Sequence, residues 1–227
     1  MAEMAAEGRS DGVLVRPGFA DESDITALLS AFDAALAAQA DGRDPTDTRL
    51  LAVRTEVPCR RLALVCTPEI AARVSSIRDR IVTAIKQFFD HSEQWPELTL
   101  LSEMRATDSH PLHADAEQLT AGRWVPNHTH WRSYVGLLYL NTSTIDYDGG
   151  LLRLPELERT ITPTAGMLVS FPTGRRHIHE VTAITAGRRL SLAIWLTADR
   201  ARAEPWLAAD RSQAKPSITP RKGVNHG

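Results

Sequence analysis

The chain predicts an α+β fold: a double-stranded β-helix, or jelly roll, with amino-terminal helices packed on one of its sheets. Three observations carry this. Two stretches with apolar residues at helical spacing come first, and from Leu98 onward the pattern changes to short apolar runs separated by turn residues. Those runs fall at 98–105, 132–140, 150–154, 159–162, 167–171, 177–184 and 188–197 without helical stretches between them, as in an antiparallel double sheet. A 43% apolar and 24% charged composition over 227 residues suits one domain with one ordinary core.

Taken in order, residues 1–12 read as a flexible tail. Residues 13–15 form a short strand, broken by Pro17-Gly18. Asp21 or Ser23 caps a helix whose residues Ile25, Leu28, Leu29, Phe32 and Leu36 share a face. Residues 41–48, rich in Asp, Gly, Pro and Thr, are a loop. Thr67 caps a second helix with Pro68 in its first position, and Ile70, Val74, Ile77, Ile81, Ile85 and Phe88 form a continuous stripe that should cover a sheet. The domain is expected over 13–207, its jelly-roll core over 98–200, with a second flexible tail at 208–227.

Charge and cysteine content narrow the function. A formal net charge of -2 gives no basic excess for phosphates, so nucleic acid is not an expected partner. Two cysteines, Cys59 and Cys66, make neither a disulfide framework nor a metal pair and fit a reducing compartment. The acidic amino terminus lacks the pattern of a signal peptide, and no apolar run approaches a membrane span; the expected location is the cytoplasm, with no membrane partner.

The chemistry concentrates between Ser109 and Trp195. His113 and Asp115 stand two apart after a strand, where alternation points both the same way. His177 and His179 share a face by the same rule, and either can supply a third ligand; His179 is the choice, because Arg189, past a turn at Gly187, reaches across the same cavity. Two imidazoles and a carboxylate with open positions are the ligand set of a non-haem iron(II) site. On the closing strand Leu190, Leu192, Ile194 and Leu196 form a packing face, which turns Arg189, Ser191, Ala193 and Trp195 to the opposite cavity. A guanidinium there needs an anion, either a protein carboxylate or a bound dicarboxylate gripped at two points. Tyr139 can donate to that same carboxylate, and Gly149-Gly150 reads as a tight turn. Substrate contacts are expected after Asp115, from Trp124, Asn127, His128, His130, Trp131 and Arg132, or from Arg175.

Taken together, these residues resemble the iron(II) and 2-oxoglutarate dependent dioxygenases of the prolyl hydroxylase type, and most nearly the catalytic domain of the prolyl 3-hydroxylases, the leprecan group. The likeness runs over about 98–200: Ser109-His110-Pro111-x-His113-Ala114-Asp115, Arg132-x-Tyr134, Leu138-Tyr139-Leu140-Asn141, Gly149-Gly150, Pro163-x-x-Gly166, Val169-x-Phe171, His179-x-Val181, Gly187-x-Arg189 and Trp195-x-Thr197. It implies that His113, Asp115 and His179 hold Fe(II), that Arg189 binds the far carboxylate of 2-oxoglutarate with help from Tyr139 and Ser191, and that O2 is consumed, with ascorbate as a helpful reductant. Asp115, where related halogenases carry a small residue, implies hydroxylation, with release of succinate and CO2. The cysteine-rich regions and retention tail of the animal members have no counterpart here. The expected substrate is therefore a small amino-acid-like, prolyl or peptide molecule rather than collagen. Two other readings compete: a catalytically silent jelly-roll binding module, and a cupin-like metal-dependent lyase or isomerase that ignores 2-oxoglutarate.

Overall fold

The computed structural model describes residues 11–206; most of the two expected tails, 1–10 and 207–227, lies outside the described residues. Strand β1 (Leu14–Arg16) leads into helix α1 (Glu22–Ala40), then β2 (Arg49–Leu50), β3 (Arg54–Pro58) and helix α2 (Pro68–Phe89). The sheets are completed by β4 (Trp95–Arg105), β5 (His110–His113), β6 (Glu117–Thr120), β7 (Arg123–Pro126), β8 (Arg132–Tyr139), β9 (Tyr147–Gly149), β10 (Leu152–Leu154), β11 (Arg159–Ile161), β12 (Leu168–Pro172), β13 (His179–Val181) and β14 (Ile184–Thr197).

Both helices start where side chains satisfy their free amides. Asp21 accepts from the Asp24 amide at 2.8 Å in a reciprocal capping box, and Thr67 accepts from the Ile70 amide ahead of Pro68. Leu28 and Phe32 of α1 and Val74, Ile77, Ile81 and Ile85 of α2 are buried together, so the predicted stripes are the packing faces. Among the described residues, no helix is long and apolar enough to cross a membrane.

The larger sheet runs β1-β12-β8-β14-β4-β3-β2, with β9 also paired to β14, and the smaller runs β11-β10-β13-β5. Every ladder between these strands is antiparallel, and the two sheets form the jelly roll. Alternation sorts the larger sheet into two faces. Leu190, Leu192, Ile194 and Leu196 of β14, with Tyr134 and Leu138 of β8, pack under the helices. Val135 and Tyr139 of β8, with Val169 and Phe171 of β12, face the smaller sheet and meet its Leu152, Leu154 and Ile161.

Three local expectations need correction. Gly187 is not a turn: β14 runs unbroken from Ile184 to Thr197, with Gly187 at φ +74° and its register against β9 shifted nearby. His177 does not share a strand with His179, because Arg175–His177 form a 3-10 turn before β13 begins. Gly149-Gly150 is more than a turn, since Gly149 closes β9 and pairs with Ile184. In each case a glycine or a short turn admits backbone that alternation in the sequence does not reveal.

Candidate metal centre

His113 ends β5 and His179 opens β13, and the two residues are register partners across the smaller sheet. Asp115 lies two residues beyond His113, in the bend before β6, so it reaches the imidazoles from a loop and not by strand alternation. One ligand atom from each of His113, Asp115 and His179 lies within 4.8 Å of the others. Nε2 of His113 is 3.9 Å from Oδ1 of Asp115, and Nε2 of His179 is 4.0 Å from Oδ2. These gaps exceed hydrogen-bond length and leave space for an ion between the atoms.

The surroundings fix which imidazole nitrogens are free. Nδ1 of His113 donates to the Pro111 carbonyl at 2.7 Å, and Nδ1 of His179 to the His177 carbonyl at 3.0 Å. A carbonyl only accepts, so both rings carry their proton on Nδ1 and turn an Nε2 lone pair to Asp115. Burial pulls the His179 imidazole below its ordinary pKa, and Asp115 offsets part of that. Asp115 itself is set by the loop that follows it: Asn127 Nδ2 and Thr129 Oγ1 donate to its carbonyl at 3.0 and 2.6 Å. Its buried Oδ2 has no hydrogen-bond partner among the described residues.

Beyond the triad lies a cavity of about 100 Å³ between the sheets, lined by His110, Met104, Arg189, Ser191, Ala193 and Trp195 among others. Arg189 is 4% exposed, and among the described residues no carboxylate lies within 4.0 Å of it. Its NH1 lies 3.4 Å from the Met104 sulfur, and its Nε has no partner among the described residues. The guanidinium stands 5.0 Å from the Tyr139 ring centre. The buried hydroxyls of Tyr139 and Tyr147 also lack partners. Burial raises both tyrosines above their ordinary pKa, Tyr147 to about 12, and the nearby guanidinium offsets this only in part. An unpaired buried cation costs several kcal/mol (~3–5), so a guanidinium with two free hydroxyls beside it fits a carboxylate guest. The alternative of an ion pair with a protein carboxylate is not what the structure shows among the described residues.

A wider cleft of about 730 Å³ opens on the outer side of His113 and Asp115. Trp124, Asn127, His128 and Arg132 line it, together with Leu112, Leu119, Ile178 and Trp195. Asn127 spends its amide nitrogen on the Asp115 carbonyl, and Arg132 pairs with Glu97 at 2.8 Å while its guanidinium lies 4.5 Å from the Trp195 ring centre. His130 and Trp131 do not line this cleft: Trp131 lies under Arg202 at 3.8 Å, and His130 packs edge-on against it. Arg175 lies outside it too, its amide donating to Glu117 at 2.6 Å. Glu56 lines both cavities and Tyr147 stands near Arg189; the sequence points to neither, Glu56 because β3 is remote in the chain and Tyr147 because its neighbours read as a turn.

Two histidines and a carboxylate with open positions are the donor set that non-haem Fe(II) oxygenases use. Residues 100–197, which hold His113, Asp115, His179 and Arg189, match the model of the 2OG-Fe(II) oxygenase superfamily. It is similar to prolyl 3-hydroxylase 1 of Homo sapiens, 38% identical over 110 residues that are 44% of this chain and 14% of the human protein. It is also similar to prolyl 3-hydroxylase 2 of Gallus gallus, 36% identical over 107 residues that are 43% of this chain and 15% of the chicken protein. The chain thus spans 14–15% of the length of these relatives. Among solved structures, a prolyl hydroxylase from Trichoplax adhaerens in complex with a hypoxia inducible factor oxygen degradation domain peptide fragment superposes with a TM-score of 0.60. That match has 17% identity and covers 87% of this chain and 89% of the other. The viral collagen prolyl hydroxylase of Paramecium bursaria Chlorella virus-1 gives 0.57 at 14% identity, covering 83% and 97%. At these identities the likeness is one of fold.

Proposed function

We propose that this chain is an Fe(II)- and 2-oxoglutarate-dependent dioxygenase that hydroxylates an unactivated C–H bond of a prolyl, amino-acid-like or peptide substrate. The single observation that carries the reading is that three convergent ligand atoms and a buried guanidinium without an anion share one cavity. His113, Asp115 and His179 would hold the ferrous ion, and Arg189, with Tyr139, Tyr147 and Ser191 near it, would grip the far carboxylate of 2-oxoglutarate. When bound, the ion supplies the oxidation: one atom of O2 enters the C–H bond, the other enters succinate, and CO2 leaves.

The residues of the chain do the rest. The two Nδ1–H donors hold the imidazoles with Nε2 inward before any ion arrives, so little is lost in ordering them. Leu152, Val181 and Ala193 line the inner cavity with apolar surface that limits water. The outer cleft brings a substrate to the open side of His113 and Asp115, and its Leu112, Leu119, Trp124 and Trp195 surfaces suit a pyrrolidine ring or an aliphatic side chain. The prolyl hydroxylase names of the relatives, and the peptide bound in the Trichoplax adhaerens protein, support a prolyl or peptidyl guest.

The test is succinate release by purified protein given Fe(II), 2-oxoglutarate, ascorbate and O2, with proline-containing peptides and free amino acids as substrates. Succinate together with a substrate gain of one oxygen in the mass spectrum is expected, and His179→Ala should abolish both. Metal binding without 2-oxoglutarate consumption on any of these would overturn the reading and favour a lyase or isomerase.

A further inference from the structure

His110 stands three residues before His113, where simple alternation puts it on the opposite face of β5. The register says otherwise. His113 pairs with His179 and His110 with Val181, so three steps along β5 match two along β13. The register shifts as in a β-bulge, with Pro111 and Leu112 together opposite Glu180, and Pro111 has no amide to lose from the ladder. The bulge restores His110 to the face of His113: the ring centres lie 5.7 Å apart, and His110 lines the same inner cavity as Arg189.

The protonation pattern of His110 is fixed by a residue that can only donate. NH1 of Arg54 lies 2.6 Å from His110 Nε2, so that nitrogen accepts and the imidazole proton sits on Nδ1. Arg54 is itself held: it donates to both carboxylate oxygens of Asp108 at 2.8 and 2.7 Å and to the Ser109 carbonyl at 3.0 Å. Burial first, then the Arg54 and His113 charges, push His110 down to about 3, in line with a neutral ring. Among the described residues no acceptor takes the Nδ1 proton. An N–H donor whose tautomer Arg54 fixes therefore belongs to a residue that lines the same cavity as the Arg189 guanidinium.

We propose that His110 is a co-substrate-binding residue, whose Nδ1–H donates to a carboxylate oxygen of 2-oxoglutarate and whose Nε2 is held by Arg54. This rests on the co-substrate reading above. It adds a binding residue from the smaller sheet to the group on the larger one, so the dicarboxylate would be held from both sheets.

Two substitutions separate donation into the cavity from a merely structural tie to Arg54. His110→Asn keeps a donor near Nδ1 and loses the acceptor for Arg54, whereas His110→Gln keeps an acceptor near Nε2 and loses the cavity donor. The readout is the dissociation constant of 2-oxoglutarate for the Mn(II)-loaded full chain, by calorimetry, beside the Mn(II) constant of each variant. His110→Gln should weaken 2-oxoglutarate about ten-fold, the loss expected for a hydrogen bond to a charged acceptor, with Mn(II) affinity within about two-fold of wild type. His110→Asn should bind 2-oxoglutarate more tightly than His110→Gln. The reverse order, or equal binding by His110→Gln and wild type, overturns the proposal. If wild type takes up Mn(II) but no 2-oxoglutarate, the co-substrate reading falls with it, a result distinct from either.

Discussion

The carbonyl oxygen of His177 lies 3.0 Å from Nδ1 of His179, so the residue two positions earlier sets the orientation of the imidazole that faces Asp115. His177 is itself held, its Nε2 donating to the Asp11 carbonyl at 3.1 Å, while the Asp11 carboxylate pairs with Arg159 and caps the Val13 amide at 2.9 Å. The start of the described chain is therefore tied, through one turn, to the metal centre. His177→Ala keeps the carbonyl but frees the turn that aims it; it should leave the fold intact and weaken metal binding by up to about ten-fold, no more than the low end for losing an outer hydrogen-bonding partner outright. His177→Gln, which keeps a donor at the Nε2 position, should restore most of it. A Co(II) titration of the three proteins checks this, and equal constants for wild type and His177→Ala would refute it.

Arg189 offers a planar fork of donors to the inner cavity, where, among the described residues, the Met104 sulfur lies 3.4 Å from its NH1 and its Nε has no partner. Lysine carries the same charge on a single point and cannot bind a carboxylate through two parallel hydrogen bonds. Arg189→Lys should raise the 2-oxoglutarate dissociation constant by roughly 10–100-fold, the loss of one charge-assisted contact at about 1.4 kcal/mol per factor of ten. Metal affinity should be unchanged. Titration of the Mn(II)-loaded protein with 2-oxoglutarate is the measurement, and a change within two-fold counts against the role given to Arg189.

What the sequence disclosed and what it hid divide along physical lines. The helices, the outward and inward faces of β14 and the meeting of residues 113, 115 and 179 rest on local periodicity or on strong side-chain chemistry, and a reader of letters has both. The bulge at Pro111 and the positive φ of Gly187 inside β14 depend on which strand lies alongside, and no window of sequence contains that partner. Hence the sequence motif around His113 gives His110 no role, and Gly187 reads as a turn where β14 in fact runs through. Trp131 shows the converse error. Its indole and its place in the chain suggest a substrate contact, whereas Arg202, seventy-one positions later, lies over its ring.

Gly149 shows where the fold tolerates no side chain. Its φ is +80°, and a Cβ built there would lie 2.0 Å from the Ala183 carbonyl oxygen, which is backbone and cannot swing away. That carbonyl also accepts from the Gly150 amide at 3.3 Å, so β9 and β14 would have to part. Gly149→Ala should cost at least about 2–3 kcal/mol, beyond the usual effect of a surface change, through strained φ and lost pairing together. Urea unfolding followed by circular dichroism measures it. A midpoint equal to wild type would show that the strands separate here at little cost.

Glu204 gives the fold a dependence on pH that the metal centre does not enter. Its side chain is 3% exposed, accepts from Thr99 Oγ1 at 2.9 Å and stands 4.0 Å from an Arg78 nitrogen. Burial raises its pKa above the ordinary 4.5, and Thr99 and Arg78 recover only part of the shift. The folded chain therefore holds this proton more tightly than the unfolded chain does. The resulting stabilisation is full below the unfolded pKa and is lost as pH rises through the folded one. Glu204→Gln keeps the shape without the proton equilibrium. The difference in melting temperature, wild type minus variant, should fall as pH is raised from about 4 to 7, near and above the unperturbed glutamate pKa. Differential scanning calorimetry of both proteins at matched salt gives that difference; if it holds constant or grows across the range, the Arg78 and Thr99 contacts outweigh burial and the sign argued for Glu204 is wrong.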